Sequence, residues 1–256
     1  MTSENWNPVI FGHRGARGLA PENTIPGFQC AADLGLPAVE LDVHLTKDDV
    51  PVVIHDHKVD RTTDGSGRIK TFTLDEIQSL DAANEWVPRF RGTVIPTLDE
   101  VISKYGDRFH WQIEFKVDDQ SPDVPGLVRK CAALVEKRGL SGYVTFTSFT
   151  PSALEFAREA APTVERGLLC GTNPDAAVET AIGLGCGRIN MNPTLLELQV
   201  VEAVRTAGLT LGGWAGNGEE ALKMFCRAKA DRFTTDWPDR AIKWMTQQGL
   251  TPSLTT

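Results

Sequence analysis

Short apolar runs alternate along this chain with longer stretches in which apolar residues recur every three or four positions. The first run, Val9–Gly12, has the length of one buried strand. Asn23 and Thr24 then offer N-cap oxygens, and Ile25, Phe28 and Ala32 follow at helical spacing until Gly35 supplies a stop. Val39–Leu45 predicts the second strand. Further strands are expected at Trp111–Phe115, Tyr143–Phe149, Arg166–Cys170, Arg188–Asn192, Thr210–Trp214 and Arg232–Thr235, eight in all and most of them followed by a helical stretch.

The helices are marked by their end signals. Thr97-Leu98-Asp99-Glu100 reads as a capping box, in which Thr97 and Glu100 satisfy each other's backbone donors. A helix is expected from about Val124 to Arg138, stopping at Gly139. Thr150-Pro151 and Asn173-Pro174 each place a capping side chain before a proline at the first helical position. Leu195–Ala207 ends at Gly208, and a last helix covers Arg240–Gln248. Eight β/α units in 256 residues predict an α/β fold, a TIM (β/α)8 barrel forming one domain over 1–256. A doubly wound open sheet is the runner-up.

One segment breaks the rhythm. Thr46-Lys47-Asp48-Asp49 is a turn, followed at once by Pro51-Val52-Val53-Ile54-His55-Asp56. That connection is too short for a parallel crossover, so this ninth strand must run back antiparallel. Asp64-Gly65-Ser66-Gly67 is turn-rich, and Thr73-Leu74-Asp75-Glu76 caps a short helix. Residues 44–91 therefore read as a small insertion between barrel strands 2 and 3, over the end where strand 2 finishes.

Composition narrows the class. Hydrophobic residues make up 41% and charged residues 23%, too apolar for a disordered chain. With 26 Lys+Arg against 34 Asp+Glu the formal net charge is −8, which argues against nucleic acid or anionic lipid as a non-specific partner. An anionic small substrate would need local cations or a metal to hold it. The five cysteines are scattered without a C-x-x-C pair, as for small buried hydrophobes in a reducing compartment. The first eight residues lack the basic start and apolar centre of a signal peptide, and no apolar run approaches the ~18 residues of a membrane span. The expectation is a soluble, cytoplasmic protein without stable membrane association. Its oligomeric state is not legible.

Strand parity then exposes candidate chemistry. In Val39–Leu45 the apolar Val39, Leu41, Val43 and Leu45 share one face, and Glu40, Asp42 and His44 the other. In a barrel the apolar face meets the helices, which sends both carboxylates toward the axis. Buried carboxylates without compensation cost several kcal/mol each, so a partner is expected, and paired oxygen ligands suit a hard divalent cation. Parity also sends Glu114 and Lys116 inward: Glu114 completes a three-carboxylate site, and Lys116 neutralises an anionic group beside it or forms a structural pair. Mg2+ and Ca2+ suit such a site better than zinc, since no His/Cys group has zinc spacing.

Gly12-His13-Arg14-Gly15 follows the first strand directly, at the catalytic end of a barrel. His13 can move protons near neutral pH, and Arg14 can fork onto phosphate oxygens. His55, ending the back-folding strand, is expected at the same rim, where two histidines form an acid–base couple. The other three histidines are read as structural: His44 inward by parity and in reach of a supporting role, His57 in an exposed loop, His110 at the non-catalytic start of its strand.

These residues resemble the glycerophosphodiester phosphodiesterases, relatives of the phosphatidylinositol-specific phospholipases C. The matching strings are Gly12-His13-Arg14-Gly15, Pro21-Glu22-Asn23-Thr24, Glu40-Leu41-Asp42-Val43, Thr46-Lys47-Asp48, Pro51-Val52-Val53-Ile54-His55-Asp56, Asp60-Arg61-Thr62-Thr63, Ile95-Pro96-Thr97-Leu98, and Glu114 with Lys116. In the second half they thin to Ser148-Phe149, Trp214 with Asn217, and Thr235-Asp236-Trp237-Pro238. Ala215 and Gly216 stand where the family usually has a threonine-like residue. The resemblance implies a divalent metal on Glu40, Asp42 and Glu114, His13 and His55 as acid–base pair, Arg14 and Lys116 on the phosphate, and Trp214 at the substrate. It implies hydrolysis of a small glycerophosphodiester to glycerol 3-phosphate and an alcohol, through a cyclic phosphate. A lysophospholipid-type phosphodiesterase and a non-catalytic phosphodiester-binding barrel are the alternatives.

Overall fold

The computed structural model describes residues 6–83, 86, 88–118 and 123–253. Alternation of apolar runs and helical stretches produces the strands β1 (Val9–Gly12), β2 (Ala38–Leu45), β3 (Pro51–Val53), β4 (His110–Phe115), β5 (Val144–Ser148), β6 (Glu165–Cys170), β7 (Arg188–Met191), β8 (Thr210–Gly213) and β9 (Arg232–Thr235). Between them run α1 (Ile25–Asp33), α2 (Leu74–Gln78), α3 (Leu98–Tyr105), α4 (Val124–Lys137), α5 (Pro151–Ala160), α6 (Pro174–Gly183), α7 (Leu198–Thr206) and α8 (Glu219–Ala228), and α9 (Pro238–Gln247) follows β9.

Every neighbouring pair of strands is parallel except β2 and β3, and the sheet closes because β1 pairs with both β2 and β9. Eight parallel strands thus form the TIM barrel. Parity sorts the side chains: Val39, Leu41, Val43, Ile113 and Phe115 enter the large cluster shared with the helices, with Val128 and Leu154 among their companions. Val9, Phe11 and Ala38 form a small separate cluster on the other face.

The turn at residues 46–49 reverses the chain, so Val43, His44 and Leu45 of β2 face Val53, Val52 and Pro51 of β3. This strand is shorter than the sequence suggests; beyond Val53 the backbone of Ile54 still bonds the Asp42 carbonyl, but His55 and Asp56 lie in a bend. Together with β3, the segment after it carries its own apolar nucleus, Val52, Ile54, Val59, Ile69, Ile77, Ala82 and Ile95. Thr73 and Glu76 make the expected capping box on α2, as Thr97 and Glu100 do on α3.

Several helix ends differ from expectation. The side chains of Thr150 and Asn173 make no cap bond; proline in the first turn is the start signal that remains. Pro193–Leu195 is a separate 3-10 turn, so α7 begins only at Leu198, and α9 begins two residues early, at Pro238. Helix α8 escaped the sequence reading because Gly218 at its N-cap has no side chain to announce it.

Candidate active site

Glu40 and Asp42 alternate with Val39, Leu41 and Val43 on β2, so both carboxylates point inside the barrel. The parallel register sets Asp42 beside Glu114 on β4. All three side chains are buried, and each offers an oxygen within 4.8 Å of the other two. Burial and the neighbouring carboxylates Asp42 and Glu114 push the Glu40 carboxyl well above its usual range. Burial and Asp42 push Glu114 up to about 7. Burial alone would raise Asp42 too, but Arg14 and Lys116 hold it below the ordinary carboxylate range. Asn23 fixes this acid from both ends: its amide nitrogen donates to Asp42 Oδ2 at 2.8 Å, and its carbonyl accepts from the Asp42 backbone at 3.3 Å. Asp42 Oδ1 remains without a hydrogen-bond partner. A buried, all-oxygen donor set with one unsatisfied atom and two carboxyls forced toward protonation fits a hard divalent cation.

Each histidine has a carboxylate behind it. His13 follows β1, and its Nδ1 bonds Asp236, which follows β9; its Nε2 faces Glu40 at 3.9 Å. Burial lowers the His13 pKa against the opposing pull of Asp236. His55 bonds Asp56 through Nδ1 at 2.6 Å, and its Nε2 lies 3.1 Å from Lys116 Nζ. Burial likewise lowers His55. With each Nδ1 donating to a carboxylate, the His13 Nε2 is turned toward Glu40 and the His55 Nε2 accepts from Lys116. Lys116 also donates to Glu114 at 2.6 Å and lies 3.6 Å from Asp42. Burial would depress its pKa, but the carboxylates of Asp42 and Glu114 keep it raised.

One cavity of about 290 Å³ gathers the residues singled out by the sequence: His13, Arg14, Glu40, His55, Glu114, Lys116 and Trp214 line it, together with Arg17, Phe149 and Asn217. Asp42 lies beneath, behind Arg14, whose Nε is 3.3 Å from it. Trp214 and Phe149 meet edge to face with centroids 5.4 Å apart and give the cavity an apolar part of its lining. Ala215 lines the same cavity.

Of the remaining histidines, His44 lies inward beside the site as parity indicates, and His57 sits closer to it than its sequence context suggests. His44 is buried and donates from Nε2 to the His55 carbonyl at 3.0 Å. His57 is half-buried instead of exposed, because it packs edge-on against His44 at 4.7 Å and pairs with Asp118. His110 bonds Thr145 at the opposite mouth. Sequence reasoning passed over Asn23, Asp56 and Asp236 as partners of reactive groups. Asp56 adjoins His55 and could have been found by adjacency; Asp236 and Asn23 are brought in by barrel closure and by the β1–α1 loop.

The C-terminal mouth of the closed β/α barrel thus joins a carboxylate cluster to two carboxylate-backed imidazoles and two fixed cationic side chains, groups suited to acid–base hydrolysis of an anionic ester. Residues 13–240 match the model of the glycerophosphoryl diester phosphodiesterase family, and the chain belongs to that family. It is 33% identical over 246 residues to the glycerophosphodiester phosphodiesterase of Caldanaerobacter subterraneus subsp. tengcongensis, covering 94% of this chain and 99% of that one. A glycerophosphodiester phosphodiesterase from Agrobacterium tumefaciens has a similar solved structure, with TM-score 0.78, 29% identity, and 91% and 97% of the two chains covered. A phosphodiesterase from Oleispira antarctica, solved with its product sn-glycerol-3-phosphate, aligns with TM-score 0.83 and 29% identity over 96% of this chain and 100% of that one. Among the described residues no helix is long and apolar enough to cross a membrane.

Proposed function

We propose that this protein hydrolyses small glycerophosphodiesters to glycerol 3-phosphate and a free alcohol, acting as one catalytic unit over 1–256 with its insertion at about 44–91. The observation that carries the reading is the convergence of Glu40, Asp42 and Glu114 within 4.8 Å, at a cavity that Glu40 and Glu114 line together with His13 and His55. Mg2+ or Ca2+ held by those three carboxylates supplies, when bound, polarisation of the non-bridging phosphate oxygens. Arg14 and Lys116 hold the same oxygens and stabilise charge that grows as the phosphorus becomes five-coordinate. Trp214 offers an apolar surface for the carbon skeleton.

The glycerol 2-hydroxyl attacks phosphorus, and one imidazole takes its proton at Nε2 while the other protonates the departing alcohol oxygen. A five-membered cyclic phosphate results. Water then opens it with the two imidazoles exchanging roles, and glycerol 3-phosphate leaves. Asp56 and Asp236 stabilise whichever imidazolium has formed. All five cysteines are free, which supports a reducing cytoplasm as the working compartment.

The deciding assay measures glycerol 3-phosphate released from glycerophosphocholine with Mg2+, with Ca2+ and with chelator, quenching aliquots to search for the cyclic phosphate. Release that needs a cation and passes through the cyclic species is expected. No release on any glycerophosphodiester would overturn the reading, and direct formation without the cyclic species would remove the two-step mechanism.

A further inference from the structure

Glu22 lies in the loop before α1 with its side chain 9% exposed, and three guanidiniums converge on its carboxylate. Arg14 donates from Nη1 at 2.8 Å, Arg61 donates from Nη1 and Nη2 at 2.9 and 2.7 Å, and Arg17 Nε lies at 3.0 Å. Burial alone would raise this acid, yet the arginines hold it down to about 2. Two of them lead onward. Arg61, from the insertion, turns the rest of its fork to Asp56, with Nε at 2.8 Å and Nη2 at 3.0 Å. Asp56 holds His55. Arg17 Nη1 lies 3.8 Å from Asp236 Oδ2, and Asp236 holds His13.

We propose that Glu22 is a positioning residue whose carboxylate, through Arg61 and Arg17, fixes the two His–Asp pairs at one spacing across the cavity. The proposal rests on the reading that His13 and His55 act as a couple. Proton transfer at both ends of a reacting phosphodiester tolerates little error in that spacing, since a displacement of about 1 Å costs on the order of 10²-fold in rate. His13 comes from the barrel and His55 from a bend of the insertion, so their separation depends on how firmly the insertion is fastened. A bidentate fork anchored on a buried carboxylate is a rigid fastening. Arg61 itself is 35% exposed and outside the apolar nucleus of the insertion, so its replacement leaves the packing in place.

The test compares Glu22→Gln, Glu22→Asp, Arg61→Lys and Arg61→Met in the full chain. Each is followed by kinetics on glycerophosphocholine and by ¹⁵N-resolved NMR of the imidazole Nδ1–H signals. Glu22→Gln and Arg61→Met are expected to lower kcat about 10–100-fold with KM changed less than about threefold; Glu22→Gln should move the signals of both histidines, and Arg61→Met that of His55. The double variant should lose no more than Glu22→Gln alone, because Arg61 is one of the two arms through which Glu22 acts. Glu22→Asp should recover part of kcat. If Glu22→Gln does not fold, the Arg61 variants decide. Full kcat, movement of only one histidine signal in Glu22→Gln, or an unmoved His55 signal in Arg61→Met overturns the proposal. A wild-type protein without phosphodiesterase activity would instead refute the functional reading, and the NMR comparison would still decide whether Glu22 couples the two pairs.

Discussion

His13 and Asp236 stand 223 positions apart in the chain, yet imidazole Nδ1 and carboxylate Oδ1 are hydrogen-bonded. The cause is closure of the barrel. β1 and β9 are adjacent and in register, Gly12 beside Thr235, so the next residue of each emerges at the same point of the rim. The carboxylate fixes the tautomer of His13 and presents Nε2 to the cavity.

Asp236→Asn should therefore cost far more than a surface substitution. The amide keeps the volume but can no longer stabilise the imidazolium, and its nitrogen can impose the wrong tautomer. The expected outcome is a kcat lower by roughly 10²–10⁴-fold with cation affinity unchanged, checked by steady-state kinetics beside calorimetric metal titration. An effect below about threefold would show that His13 does not take up a proton in turnover.

Glu114→Ala should abolish tight cation binding, and the intact site should compete with protons. Without a cation Glu114 holds its proton up to about 7, and Glu40 is also raised. Below that pH the incoming cation must expel protons; above it Glu114 is already ionised. Affinity is therefore expected to fall as pH drops from 8 to 6. Calorimetry in buffers of different ionisation enthalpy would report the protons released at pH 6. Full activity of Glu114→Ala in chelator would remove the cation from the mechanism.

His55→Ala separates the two functions of the site. His55 touches Lys116 and Asp56 but none of the three carboxylates of the cluster directly. The variant should bind the cation normally and lose on the order of 10²–10⁴-fold in kcat. Loss of cation binding instead would place His55 among the residues that build the cluster.

How far the site could be read in advance follows from what each residue depends on. Strand parity suffices for Glu40, Asp42, Glu114 and Lys116, because in a helix-covered barrel an apolar–polar alternation has one possible orientation. The short turn after Leu45 suffices for the reversal that carries His55 back to the rim. Asp236, Asn23 and Glu22 depend on which loops meet at the mouth, and that is fixed by closure of the sheet and by Asn23 adopting a left-handed backbone with φ of 57°. No local pattern encodes it. The same limit applies to His57, whose loop looks polar but folds onto His44, and to α8, which starts at a residue without a side chain.

The far mouth of the barrel supplies a test that is independent of catalysis. His110 begins β4, bonds Thr145 at 2.8 Å and lies near Arg188 and Arg232. Burial first, and then the two guanidiniums, push its pKa down to about 3. The unfolded chain takes up this proton near the ordinary histidine value of about 6.5, so between those limits it binds more protons than the folded one. The contribution of His110 to stability is thus complete above pH 6.5 and is lost as pH falls toward 3. His110→Gln keeps a donor for Thr145 without a titrating group. Its melting temperature is expected to depend less steeply on pH between 6.5 and 4 than that of the wild type, measured by calorimetry with the cation removed. Parallel curves would mean that His110 is protonated in the folded protein, and that the two arginines are screened from it.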